Sequence, residues 1–219
     1  MARKIKISRE IILEATFQLL VREGYTSISI KSVAKEIGCS TQPIAWHFGN
    51  MEGLKTELLD YCVRFLGRIF CGIKSEHVAE QLEDIAFGYI TLAFDYPNLY
   101  RYFYMSDVDG RKMNELTTRL RADNYEKAIG MLQQEYAVSV ETALQHMINL
   151  QMYVHGIASY MVTRQGFSSK EEVMSMVHGA NEAFLGQMKL QNREREQHLT
   201  AQKCILHKIS GKGTGCAIR

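Results

Sequence analysis

The chain has 219 residues, 46% of them hydrophobic, with only two prolines and a formal net charge of +2. That length can bury a sizeable core. No apolar run reaches membrane-spanning length and no signal-peptide core opens the chain, so a soluble cytoplasmic protein away from membranes is expected. Five cysteines, at 39, 62, 71, 204 and 216, are odd in number and have no close pairs, which argues against a metal site or a disulfide scaffold and predicts free thiols.

The small net charge conceals an uneven distribution. Residues 1–50 hold seven Lys/Arg against four Asp/Glu, residues 51–185 hold twelve against eighteen, and residues 186–219 hold seven against two. A basic front on an acidic middle suits a protein that meets phosphates at one end.

Ser29 is positioned to cap a helix in which Ile30, Val33, Ala34 and Ile37 recur at i, i+3, i+4 and i+7 as one buried stripe. Gly38 supplies the left-handed residue that ends it. Cys39 is the turn, and Ser40 is expected to cap a second helix whose Ile44 and Phe48 point back at the first. Thr41, Gln42, Ala45, Trp46 and His47 are left facing outward. Two short helices joined by a glycine turn make a helix-turn-helix, whose second member enters the DNA major groove by its N-terminal residues. Thr41 and Gln42 hold that place, and glutamine pairs with adenine edges. The same caps and stripe also build an ordinary corner of two helices.

The flanking sequence distinguishes the two. Residues 8–58 together, from SREIILEATFQLLVREGY through the helix-turn-helix to GNMEGLKTEL, resemble the DNA-binding head of the TetR family of transcriptional regulators. Ile12, Ala15, Leu19, Leu20, Gly24, Val33, Ala34, Gly38, Ser40, Ile44, His47, Phe48, Glu52 and Leu54 carry the likeness. The chain departs from the family at Ala45, where a tyrosine is usual, and at Met51, where a lysine is usual; both positions ordinarily touch phosphate. Pro43 falls in the first turn of the recognition helix, where a missing amide is tolerated. The resemblance implies double-stranded DNA as partner and Ser29, Lys31, Ser40, Thr41, Gln42, Trp46 and His47 as the DNA-binding residues.

Periodicity predicts further helices over about 52–72, 76–95, 97–104, 110–135, 139–165 and 169–192, with Pro97 in a first turn and Gly166 as a stop. The fold class expected is all-α: a three-helix head over residues 1–50, a larger helical body over 51–195 and an unstructured basic tail over 196–219. Phe87, Tyr100, Phe103, Tyr104, Met152 and Tyr153 supply large adaptable side chains for an effector pocket, though core filling is the ordinary use of each. His155 reads as a satisfied core histidine. On the last two long helices, Met147, Val154 and Ala158 face Val173, Val177, Ala180 and Phe184 in stripes that would pair across a two-fold axis as a homodimer; the alternative is that both stripes face the chain's own core. The resemblance favours the dimer.

No nucleophile elbow, zinc-protease motif or paired-cysteine motif occurs, and Gly211-Lys-Gly-Thr-Gly215 lacks the spacing, strand and helix of a phosphate loop. The chain is therefore expected to be a regulator without catalytic residues, metal or cofactor, answering an unidentified small-molecule effector, and a repressor by family habit. The rival is a helical interaction or architectural DNA-binding protein that controls no promoter.

Overall fold

The computed structural model describes residues 7–70, 75–106, 125–164, 166, 167 and 169–209. Helices account for almost all of them, and no strand occurs among the described residues. In chain order they are α1 (Arg9–Glu23), a short 3-10 turn (Tyr25–Ser27), α2 (Ile30–Ile37), α3 (Gln42–Phe48), α4 (Met51–Phe70), α5 (Val78–Asp95), α6 (Pro97–Tyr104), α7 (helical over 125–136), α8 (Val140–Arg164) and α9 (Lys170–Ile209). The helix expected over 110–135 is described only for its last part; residues 107–124 lie outside the described residues.

Local chemistry accounts for the head. Ser8 caps α1, its hydroxyl accepting from the Ile11 amide at 3.3 Å. Ser29 and Ser32 form a reciprocal capping box at the start of α2. At its end Gly38 takes φ +73°, the Cys39 amide donates to Ala34 O at 2.9 Å and the Gly38 amide to Lys35 O at 3.2 Å, the paired bonds of a Schellman stop. Ser40 was expected to cap α3; instead Thr41 stands at that position and caps with no side-chain bond. Pro43 in the first turn presets the helical φ in its place.

One close approach fixes the next joint. A Cβ built on Gly53 would lie 2.1 Å from the Phe48 carbonyl oxygen, so only glycine lets the first turn of α4 sit against the last turn of α3. From there α4 serves both halves of the molecule. Leu54 and Leu58 are fully buried, and Tyr61 and Phe65 pack their rings 5.2 and 4.9 Å from Phe17 of α1.

The body is built on α5, α8 and α9, each packed on the other two. Five residues separate α8 from α9, and Asn192 and Arg195 of α9 bond back to Ala137 O and Thr142 near the start of α8. The two helices therefore run antiparallel and are matched in length as far as Arg195. Beyond it, the fourteen residues to Ile209 carry α9 on by roughly 20 Å at 1.5 Å per residue. This corrects the expected tail: residues 196–209 continue a helix, exposed over 196–203, while 210–219 lie outside the described residues.

The stripes read as a dimer face are also corrected. Met147, Val154, Ala158, Val173 and Val177 are buried within the single chain, and Ala180 and Phe184 are half-buried. They close α8 against α9 and α5. The solvent side of α8 carries another apolar row, Leu144, Ile148 and Met152, at 40, 49 and 56% exposure, and α9 exposes Met176 and Leu190.

Candidate nucleic-acid interface

The head presents α2 and α3 on a frame closed by ion pairs. Arg22 at the end of α1 holds Glu36 of α2 through two bonds of 3.0 and 2.7 Å, a bidentate fork that fixes the angle between the helices. At the other end of α1, Arg9 bonds Glu57 of α4 at 2.8 Å and the His47 carbonyl at 3.0 Å, and its guanidinium lies 4.9 Å from the Phe48 ring centroid. The frame thus grips α3 at its C-terminal end and leaves its N-terminal end clear.

On that frame Ser29, Lys31, Ser40, Thr41, Gln42 and Trp46 are exposed. Trp46 is 75% exposed, the largest value among the exposed large hydrophobic side chains. The other large apolar side chains of this seven-residue helix, Ile44 and Phe48, are buried, so the indole adds nothing to the core they form. His47 differs from the outward residue expected. It is half-buried, and its Nε2–H donates to the Ile7 carbonyl at 3.1 Å, so it ties the start of the chain to α3. The helical period carries position 47 round toward α1, a turn that spacing within α3 alone does not reveal.

Among the expected effector residues, the structure brings some together and scatters the rest. Phe87 and Met152 are exposed, with the Phe87 ring 6.0 Å from Lys170 Nζ; neither lines an interior site. Phe103 is buried beside Tyr102, and Tyr153 packs against Phe184 at 6.3 Å. Tyr100 and Tyr104 stack at 4.9 Å and are joined by Tyr89, 5.6 and 5.0 Å from them. Two hydroxyls converge on one nitrogen: Tyr89 and Tyr100 lie 2.7 and 3.1 Å from His155 Nδ1, and Tyr100 also meets Ser159 at 3.0 Å. Burial pushes the Tyr100 phenol up, so Tyr100 offers a neutral hydroxyl to this cluster between α5, α6 and α8. His155 and Ser159, one turn apart on α8, were not expected as part of it; the i, i+4 spacing was the available signal.

A second connection escaped the sequence altogether. Asn98, in the first turn of α6, donates its carboxamide N–H groups to the carbonyls of Val21 and Arg22 at 3.0 and 3.2 Å, capping the C-terminus of α1 from outside. Its own oxygen accepts from Arg101 at 3.0 Å, and Arg101 also donates to the Val162 carbonyl of α8. The polar route from α8 to the head is therefore Arg101 and then Asn98. Tyr102 of α6 reinforces it, with its ring 5.0 Å from Tyr25 in the head.

No helix among the described residues is long and apolar enough to cross a membrane. Cys39, Cys62 and Cys204 are free thiols.

Comparison with known proteins agrees with this geometry. Residues 12–58 match the model of bacterial regulatory proteins, tetR family. An uncharacterized HTH-type transcriptional regulator of Bacillus subtilis strain 168, YobS, is 20% identical over 200 residues, which cover 88% of this chain and 98% of that protein. Among solved structures, a TetR protein of Acinetobacter baumannii AYE in complex with minocycline superposes with a TM-score of 0.54 at 16% identity, covering 85% of this chain and 98% of its own. The fatty acid degradation regulator FadR of Bacillus halodurans gives 0.58 at 15%, covering 83% and 97%. Residues 12–58 thus form a helix-turn-helix head of the tetR regulatory type whose outer face is clear of its own core, and the chain as a whole shares its fold with these solved regulators.

Proposed function

We propose that this protein is a ligand-responsive repressor that binds a palindromic operator as a homodimer, acting in the cytoplasm. The observation that carries the reading is the exposed edge formed by Thr41, Gln42 and Trp46 on α3, with the α2 N-terminus and Lys31 beside it for phosphate. Gln42 reads a base edge and Trp46 packs on the groove wall or a thymine methyl. The division of the chain is a DNA-binding head over 1–50, an effector and dimerisation body over 51–195 and the remaining residues beyond, with α4 shared between head and body.

The apolar row Leu144, Ile148 and Met152 with Met176 and Leu190 suits the two-fold contact in place of the buried stripe, because only exposed side chains are available to a second chain. The Tyr89, Tyr100, Tyr104, His155 and Ser159 cluster suits an effector with an apolar body and hydrogen-bonding groups. The minocycline complex of the A. baumannii protein, which shares the fold, supports a small molecule as effector. An effector that separated α6 from α8 would act on the head through Arg101 and Asn98, provided it bound the two arrangements unequally.

The test is selection of bound fragments from a random DNA pool by the full-length protein. Recovery of a two-fold symmetric sequence with half-sites about one helical turn or slightly more apart supports the reading. A flat pool favours the rival, an architectural or interaction protein, for which Ala45 and Met51 speak because they remove two phosphate contacts.

A further inference from the structure

Helix α8 carries three polar side chains on one ridge, Gln151, His155 and Ser159, at i, i+4 and i+8. Each of them meets a tyrosine from another helix. The Tyr125 hydroxyl of α7 donates to Gln151 Oε1 at 2.7 Å, and the Tyr89 hydroxyl of α5 lies 2.7 Å from His155 Nδ1. The Tyr100 hydroxyl of α6 lies 3.1 Å from the same nitrogen and 3.0 Å from Ser159 Oγ. Over eight residues this ridge runs about 12 Å.

Three properties suit the ridge to a ligand. Gln151, His155, Ser159, Tyr89 and Tyr125 are only half-buried, so a molecule reaches them from water. His155 Nδ1 holds either one lone pair or one proton, yet two hydroxyls approach it, and one of them is surplus to that nitrogen in either tautomer. A hydroxyl arriving beside Tyr100 and Ser159 can accept from one and donate to the other. The ridge and its tyrosines include no carboxylate, ammonium or guanidinium, so a charged ligand group would leave water without a counter-charge from them. Rings border the same seam: Tyr104 lies 4.9, 5.0 and 5.9 Å from the rings of Tyr100, Tyr89 and His155, which favours an aromatic body.

We propose that this ridge binds an uncharged, elongated aromatic molecule with a hydroxyl at each end, one seated between Tyr125 and Gln151 and the other between Tyr100 and Ser159. This rests on the effector reading above and gives it a ligand class. Each ligand hydroxyl replaces one tyrosine bond to α8 by two of its own, so α6 and α7 draw away from α8 together and no polar group is stranded.

The test titrates the full-length protein by calorimetry, without DNA, with three rod-shaped probes: 4,4′-dihydroxybiphenyl, 4-hydroxybiphenyl and biphenyl-4,4′-dicarboxylate. The diphenol should bind about five- to tenfold more tightly than the monophenol, the worth of one neutral hydrogen bond. The dicarboxylate should bind more weakly than either. Tyr125→Phe with Gln151→Leu removes one polar end and keeps the ring, and Ser159→Ala alters the other end by a single oxygen. Each change should bring the diphenol towards the affinity of the monophenol and scarcely touch the monophenol itself, which turns round to the intact end. Equal affinities for diphenol and monophenol, tighter binding of the dicarboxylate, or no binding of any probe overturns the assignment. So does a diphenol affinity that neither change lowers in variants with the parent's circular dichroism. The titration is then repeated on the duplex that the protein selects. A diphenol that binds as expected but leaves DNA affinity unchanged keeps the site and refutes regulation through it. A protein that selects a symmetric duplex and binds no probe keeps the DNA-binding reading and loses this site.

Discussion

Asn98→Ala tests whether head and body are joined by named polar contacts or only by packing. In the structure the Asn98 carboxamide makes bonds of 3.0 and 3.2 Å to the last carbonyls of α1 and one of 3.0 Å from Arg101. A neutral bond of this kind contributes a net 0.5 to 1.5 kcal/mol. The longer carbonyl contact and the exposed Arg101 belong at the low end, and the freed α1 carbonyls regain water in part. The expected loss is about 1 to 2 kcal/mol. Alanine adds little helix penalty in the first turn of α6, and the site leaves no large cavity. Urea unfolding followed by far-ultraviolet circular dichroism should show a lower midpoint with an unchanged slope for a single transition. DNA affinity of the folded variant should stay near that of the parent while the proposed response to effector weakens, because Arg101 no longer has a partner that touches the head. A midpoint within about 0.3 kcal/mol of the parent would refute the reasoning: water would then replace Asn98 at no cost, and the link between the halves would be apolar.

Three further outcomes are expected. Gln42→Ala should cost about 1 to 3 kcal/mol of operator affinity and relax preference at one base pair, whereas Lys31→Ala should weaken all sequences alike and lower the salt slope by about one; Trp46, the single tryptophan, reports both titrations by its fluorescence. Leu144→Asp with Ile148→Asp should convert a dimer to monomers in sedimentation without unfolding either, since both side chains are exposed; persistence of the dimer would place the contact elsewhere. His146 on α8 is 2% exposed, neither ring nitrogen has a hydrogen-bond partner among the described residues, and burial holds its pKa below the ordinary value. The groups facing it are Asn181 and the Phe184 backbone on α9, with Glu83 of α5 bonded to Asn181 and to His178. The unfolded chain therefore takes up this proton more readily, so stability falls as pH drops through 6.5. His178 works the other way, its pKa raised by Glu83, and its contribution is lost as pH rises. In His146→Leu the loss between pH 7.5 and 5.5 should be smaller than in the parent, and parallel curves would show that the buried ring is not neutral.

Much of the head was legible because its signals are local. The Ser29 cap, the stripe on α2, the Gly38 stop and the inward pair Ile44 and Phe48 all follow from spacings of three and four residues within one or two turns. The cap on α3 was placed one residue early because Ser40 and Thr41 are both suitable cap residues, and Pro43, not a side-chain bond, sets the start. The buried and exposed rows of α8 were confused for a similar reason. Both rows repeat at helical spacing and both are apolar, so periodicity identifies two faces without saying which one meets α9. The candidate effector residues were chosen by type, and type does not distinguish Tyr100, fully buried, from Met152, mostly in water.

Sequence alone determined the helical class, the helix-turn-helix and the uneven charge, since these depend on backbone propensity, capping and composition along short stretches. Tertiary structure alone decided that His47 turns to Ile7, that Asn98 caps a helix 76 residues away, that two tyrosines meet one histidine, and which apolar side of α8 stays exposed. Each of those is a contact between elements distant in the chain, and a side chain's direction on its own helix carries no information about what arrives to face it.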